Sequence, residues 1–162
     1  MKNQTTILAV EDDSNDALLL RRAFTKANVL NAVQFVSTGT DALCYLKGVG
    51  KYQDRLEFPL PGLILLDLKL PDMTGHDVLA WVRCQPGFQS LRVVVLTAST
   101  NMTDINLAYH LGANSFVSKP ADLESFVQLS RAIRGDWLWL YRAPEANRPL
   151  SSLSQAASTL DT

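Results

Sequence analysis

The chain has 162 residues, 47% hydrophobic and 19% charged, enough to bury a core without metal or disulfide staples and suited to one domain plus a tail. Fifteen Lys and Arg against sixteen Asp and Glu leave a net charge of −1. No excess positive field exists to hold a phosphate backbone by counterion release, so no nucleic acid partner is expected. 

Apolar runs such as Leu63 to Leu66 and Val93 to Leu96 are far too short to span a bilayer, and the N-terminus lacks a basic-then-apolar leader. Cys44 and Cys84 stand far apart, with no CxxC pair and no histidine at metal-ligand spacing. These features predict a cytoplasmic protein with no membrane partner and two buried, reduced thiols.

Strand-length apolar runs alternate with segments of helical period, the pattern of a parallel sheet covered by helices on both faces. The first predicted strand is Ile7 to Val10, followed by acidic residues and a helix over Asn15 to Asn28 with Ala17, Leu20, Phe24 and Ala27 on one face; Ser14 or Asp13 would cap it. Val33 to Ser37 reads as the second strand and Gly39 to Lys47 as a short helix with Ala42, Leu43 and Leu46 facing in. Gly48 to Gly62, with Pro59 and Pro61, is a long connection of mixed polarity, a length usually associated with function or mobility. Leu63 to Leu66 is continuously apolar, as a strand buried on both faces should be, and runs into Asp67. A loop with Pro71 then leads to a helix over Gly75 to Gln85, stopped by Pro86-Gly87. Val93 to Leu96 repeats the buried pattern and ends on Thr97, before a helix over Asp104 to Leu111. Asn114 to Ser118 is the fifth strand, ending at Lys119-Pro120, and Asp122 starts a helix carrying Leu123, Phe126, Val127, Ala132, Ile133 and Trp137. The predicted domain covers residues 1–141, and the Pro- and Ser-rich stretch 142–162 shows no periodicity and is expected to be disordered.

In an open parallel sheet, ligands bind beyond the carboxyl ends of the strands. There the sequence offers Glu11-Asp12-Asp13, Asp67, Thr97-Ala98-Ser99 and Lys119. Carboxylates, a hydroxyl and an amine on one rim suit a hard divalent cation together with a phosphoryl group. Asp12 and Asp67 could ligate Mg2+ directly, with Glu11 adding a contact through water. Catalysis of phosphoryl transfer to an aspartate then comes from alignment and from neutralising charge, which Mg2+ and the Lys119 amine would supply. Each residue alone has a plainer role: Asp13 as a helix cap, Asp67 or Thr97 as a turn residue, Lys119 as a solvated amine. The functional reading rests on four separate strand ends delivering compatible groups to one edge.

The same residues carry a family resemblance. Val10-Glu11-Asp12-Asp13, Leu65 to Pro71 with Gly75, Leu96-Thr97-Ala98 and Phe116 to Pro120 resemble the receiver domain of two-component response regulators over roughly Thr6 to Tyr141. The resemblance implies a doubly wound, flavodoxin-like α/β fold, a five-stranded parallel sheet of order 2-1-3-4-5 with helices on both faces. It also implies that Asp67 is the phosphoacceptor, and that Glu11, Asp12, Asp67 and the backbone carbonyl of Lys69 bind Mg2+. Thr97 and Lys119 would contact the phosphoryl oxygens, Thr97 and Phe116 would form the switch, and Lys119-Pro120 would be a cis peptide. Lys69 and Ser99 would flank the path of attacking water. The long Gly48 to Gly62 connection and the last helix continuing through Asp136-Trp137-Leu138 resemble the single-domain regulators that partner bacterial phytochromes. The implied partner is a sensor histidine kinase, of phytochrome type in the closer resemblance, and Trp137, Trp139 and Tyr141 suggest a homodimer contact whose plainer alternative is capping of the domain's own core.

Other chemistries fit less well. A phosphate loop at Gly48 to Lys51 lacks the required first glycine, since Tyr45 stands there, and Tyr52 replaces its Ser or Thr. A haloacid-type phosphatase would need an aspartate where Lys69 stands, and His76 and His110 have no nucleophile partner. The rival from another class is a receiver-like adaptor that binds a partner constitutively, without phosphorylation.

Overall fold

The computed structural model describes residues 5–137. Five parallel strands, β1 (Thr6–Val10), β2 (Val33–Val36), β3 (Pro61–Leu66), β4 (Arg92–Thr97) and β5 (Ser115–Ser118), form one sheet in the order β2-β1-β3-β4-β5. Five helices alternate with them: α1 (Ser14–Lys26), α2 (Gly39–Lys47), α3 (Gly75–Cys84), α4 (Met102–His110) and α5 (Leu123–Ala132). The parallel sheet with helices on both faces is what the sequence pattern predicts, and the doubly wound strand order is the one the family resemblance implies. No helix among the described residues is long and apolar enough to cross a membrane.

The central strands explain the order. Every residue of β1 and β3 is buried, so these two take the middle of the sheet and need a helix layer on each face. Ile7, Ala9, Leu63 and Leu65 turn to one side, where they pack with Leu20, Ala23 and Phe24 of α1 and Phe126, Val127 and Leu129 of α5. Leu8, Val10, Ile64 and Leu66 turn to the other, against α2, α3 and α4. Each such fully buried aliphatic side chain contributes about 1.5–3 kcal/mol relative to exposure. The α4 layer is the thinnest: Ala108 is its only fully buried residue, while Met102, Leu107 and Tyr109 are exposed.

Capping fixes where the helices begin. Asp13, not Ser14, is the α1 N-cap, its carboxylate accepting from the amides of Asn15 and Asp16. Thr74 and Asp77 make a reciprocal capping box at α3, which sets that helix immediately after the Asp67 loop. Asp122 caps α5 from just outside the helix, and Ile133–Trp137 extends it by a π-helical turn.

Three expectations are corrected. The Gly48 to Gly62 connection is not a loose loop: it carries a 3-10 turn, Gly50–Tyr52, and a cluster in which Phe58 meets Tyr52 and Tyr45 edge-to-face while Tyr45 and Tyr52 pack at a tilt. Arg55 ties it to α2 by donating to the carbonyls of Tyr45 at 2.8 Å and Leu46 at 2.9 Å in the last turn of the helix. Tyr45 joins Ala42 and Leu46 on the inner face of α2: it is fully buried, and its hydroxyl donates to the Pro59 carbonyl at 2.8 Å. The thiols are free, as expected, but Cys84 is exposed and Cys44 only half-buried, because both lie off the core stripe of their helices. The Lys119–Pro120 bond is trans, the isomer favoured by about 0.5–1 kcal/mol in X–Pro bonds. The predicted tail at 142–162, the domain boundary at 141, Trp139, Tyr141 and the side chain of Trp137 lie outside the described residues.

Candidate phosphoacceptor and metal site

Sheet register assembles the site. Val10 pairs with Leu66 across β1 and β3, which brings Glu11 and Asp67 side by side at the carboxyl edge. Thr97 pairs with Ser118 across β4 and β5, and the Lys119 amide donates to the Thr97 carbonyl at 2.9 Å. Four strand ends therefore meet at one place, as the order of the sheet requires.

At the centre is the Lys119 amine. Its Nζ lies 2.7 Å from Glu11 Oε2, 2.7 Å from Asp67 Oδ2 and 3.0 Å from Asp16 Oδ2. Burial works to lower the pKa of this amine, but its hydrogen bonds to Asp67, Glu11 and Asp16 outweigh that effect and hold it above the usual lysine range. Burial pushes the Glu11 carboxyl up to about 7, against the opposing pull of Lys119. Glu11 Oε1 also accepts from the Asp13 amide at 3.0 Å, and Asp67 Oδ1 from the Lys69 amide at 3.2 Å.

Glu11, Asp12 and Asp67 present carboxylate oxygens that all lie within 4.8 Å of one another, with Glu11 and Asp67 buried and Asp12 exposed. An all-oxygen, acidic donor set with one open side fits a hard divalent cation that keeps some of its water. The three carboxylates around Lys119, with Asp12 beside them, outnumber its single charge, so the pocket keeps an anionic excess that such a cation would offset.

The remaining residues named from the sequence fall around this centre. Thr97 is fully buried, and its Oγ1 accepts from the Ser99 amide at 3.4 Å. Ser99 donates from its hydroxyl to Asp104 at 2.7 Å, tying the β4 end to the first turn of α4. Phe116 is buried in the core on the side of the sheet that α2, α3 and α4 cover. The Lys69 side chain is exposed, in a loop closed by a bridge from Lys69 to Thr74. His76 donates from Nε2 to the Asp104 carbonyl at 3.0 Å and His110 ends α4, so neither joins the carboxylate cluster. Asp16 was not anticipated. An aspartate in the first turn of a helix reads as a complement to the helix dipole; the remaining signal, its spacing behind the Glu11-Asp12 pair, gains meaning only once Lys119 is folded against it.

Residues 7–131 match the response regulator receiver domain family. The chain belongs to that family. Relatives at the sequence level include a probable methanogenesis regulatory protein, FilR2, of Methanothrix harundinacea, 35% identical over 85% of this chain and 86% of that protein. Response regulator Rcp1 of Synechocystis is 32% identical over 86% of this chain and 93% of its own, and its Mn(2+)-bound crystal structure superposes with a TM-score of 0.74. The phosphorylated cyanobacterial phytochrome response regulator RcpA is 34% identical, with a TM-score of 0.79 over 88% of this chain and 99% of that one. Receiver domains are signalling modules that are phosphorylated by histidine kinases and bind a divalent metal at an acidic pocket. Phytochrome response regulators are close structural neighbours of this receiver, as the long connection before β3 and the extended last helix had suggested.

Proposed function

We propose that the protein is a stand-alone, cytoplasmic response regulator that accepts a phosphoryl group from a sensor histidine kinase onto Asp67, with Mg2+, and switches its partner-binding surface in consequence. The observation that carries this reading is the convergence of Asp67 and Glu11 on the Lys119 amine at 2.7 Å each, beside the exposed Asp12 carboxylate. Similarity to RcpA favours a phytochrome-type kinase as the donor.

In the transfer, a carboxylate oxygen of Asp67 attacks the phosphorus of a phosphohistidine. The new P–O bond forms as the P–N bond breaks, and the imidazole nitrogen leaves with the bonding pair. Glu11, Asp12, Asp67 and the Lys69 carbonyl would hold the cation, which when bound supplies charge neutralisation at the transferring oxygens. Lys119 stays cationic because three carboxylates surround it, and so offers a second positive group to those oxygens without a proton change. The Thr97 hydroxyl would meet another phosphoryl oxygen. The protein thus acts only on its own acyl phosphate, in formation and in hydrolysis, where Lys69 and Ser99 would flank the incoming water.

The switch follows from burial. Thr97 and Phe116 are both inside in this state, so the coupling we propose is a repacking within the core under α4 and β5 rather than a swing of an exposed ring. A homodimer belongs to the same reading and is checked by sedimentation at several concentrations; a monomer with and without a phosphoryl analogue removes it.

Intact mass after incubation with acetyl phosphate tests the acceptor. The wild type should gain one phosphoryl group in the presence of Mg2+ and none without it, and Asp67→Asn should gain none. If wild type and variant both stay unmodified and Mg2+ does not bind, the constitutive adaptor takes the place of this reading.

A further inference from the structure

Asp16 stands in the first turn of α1, outside the cluster formed by Glu11, Asp12 and Asp67. It nevertheless shares the Lys119 amine with two members of that cluster, at 3.0 Å against 2.7 Å for each of them. An ammonium group has three N–H donors, and here three carboxylates take them. The third partner differs from the others in its setting: the Asp16 side chain is 29% exposed, while those of Glu11 and Asp67 are 7% and 5% exposed.

A divalent cation held by Glu11, Asp12 and Asp67 needs oxygens that Lys119 now engages, and its charge repels the ammonium. The amine must therefore loosen its hold on Glu11 and Asp67 as the cation arrives, yet stay close enough to reach a phosphoryl group on Asp67. A carboxylate that binds the amine but not the cation meets both demands. We infer that Asp16 is a positioning residue that retains Lys119 at the edge of the pocket when a divalent cation enters, acting through the lysine and not as a ligand. The inference rests on the metal-binding reading proposed above.

Binding of Mn2+ alone to the full chain, with the free ion counted by electron paramagnetic resonance, tests it in four proteins: wild type, Asp16→Asn, Lys119→Met and the double variant. With Lys119 present, Asp16→Asn should weaken Mn2+ binding about threefold, the size expected of a partly exposed ion pair, and Asp16→Glu should restore most of it. In the Lys119→Met background the same Asn substitution should change affinity by less than about twofold, as expected when its effect passes through the missing amine. Equal weakening in both backgrounds would show that Asp16 acts as a ligand or as a distant charge, and overturns the inference. No weakening when Lys119 is present overturns it too. If the wild type takes up no Mn2+, the metal-binding reading itself fails and carries this one down with it.

Discussion

Gly75, the first residue of α3, lies so close to the end of β3 that a methyl group on its Cα would stand 2.2 Å from the carbonyl oxygen of Asp67 and 2.8 Å from Leu68 Cα. Its amide donates to the Leu68 carbonyl at 2.8 Å, so the helix is seated directly on the backbone that presents Asp67. Gly75→Ala would push backbone against backbone, with no flexible side chain to absorb the clash. We expect about 1–3 kcal/mol of lost stability in urea unfolding, together with weaker Mn2+ binding because Asp67 shifts. Unchanged metal affinity in a destabilised variant would separate the helix seat from the site.

Lys119 is the counter-charge for two nearly buried carboxylates. Lys119→Met leaves them facing each other without it, and we expect the metal-free variant to lose about 2–3 kcal/mol, less than the full cost of an orphaned buried charge because Glu11 can take up a proton. Added Mg2+ should raise the melting temperature of this variant by more than it raises that of the wild type. Differential scanning calorimetry with and without the ion checks both.

Asp72 reaches from the β3–α3 loop to the start of α2, accepting from the amides of Gly39 and Thr40 at 2.9 Å each and from the Thr40 hydroxyl. Its bond to the Thr40 side chain is the foremost of the contacts that hold its carboxyl down to about 2 from an ordinary 3.8. Because the folded value lies below the unfolded one, the stabilisation is present in full above pH 3.8 and is lost as the pH falls through 2. Asp72→Asn should flatten the fall in stability between those limits while lowering stability at neutral pH; an acid titration followed by circular dichroism reads the slope.

Arg55 fastens the long connection to the end of α2. Arg55→Ala should cost about 1–2 kcal/mol through the hydrogen bonds it removes from the carbonyls of Tyr45, Leu46 and Phe58 and raise amide exchange across residues 50–58. Phosphorylation by acetyl phosphate should be unaffected, since none of these contacts touches the carboxylate pocket. A large loss of phosphorylation would assign the connection a functional role.

The sequence made the fold legible wherever burial was two-sided. Leu63 to Leu66 and Val93 to Leu96 have no polar residue to suggest another placement, and they occupy the middle of the sheet. The carboxylates were legible for a related reason, since parallel strands deliver their following residues to one edge. Arg55 and Asp16 were not, because each takes its meaning from partners fixed only by tertiary structure: helix-end carbonyls for the arginine, and for the aspartate a lysine 103 positions away. The trans Lys119–Pro120 bond belongs with them, as flanking sequence does not set an isomer that tertiary context decides.

The thin packing of α4 gives the molecule a weak seam on one face. A helix that anchors itself chiefly through Ala108 and a half-buried Ile105 resists displacement far less than α1 or α5, each of which sinks a phenylalanine into the core. A perturbation at Thr97 worth only about 1–2 kcal/mol, too small to unsettle those helices, is on the scale that redistributes a low-stability segment. Under the function proposed above, phosphorylation at the carboxyl edge of the sheet would find its preferred exit through α4, because the fold is loosely built in that one place.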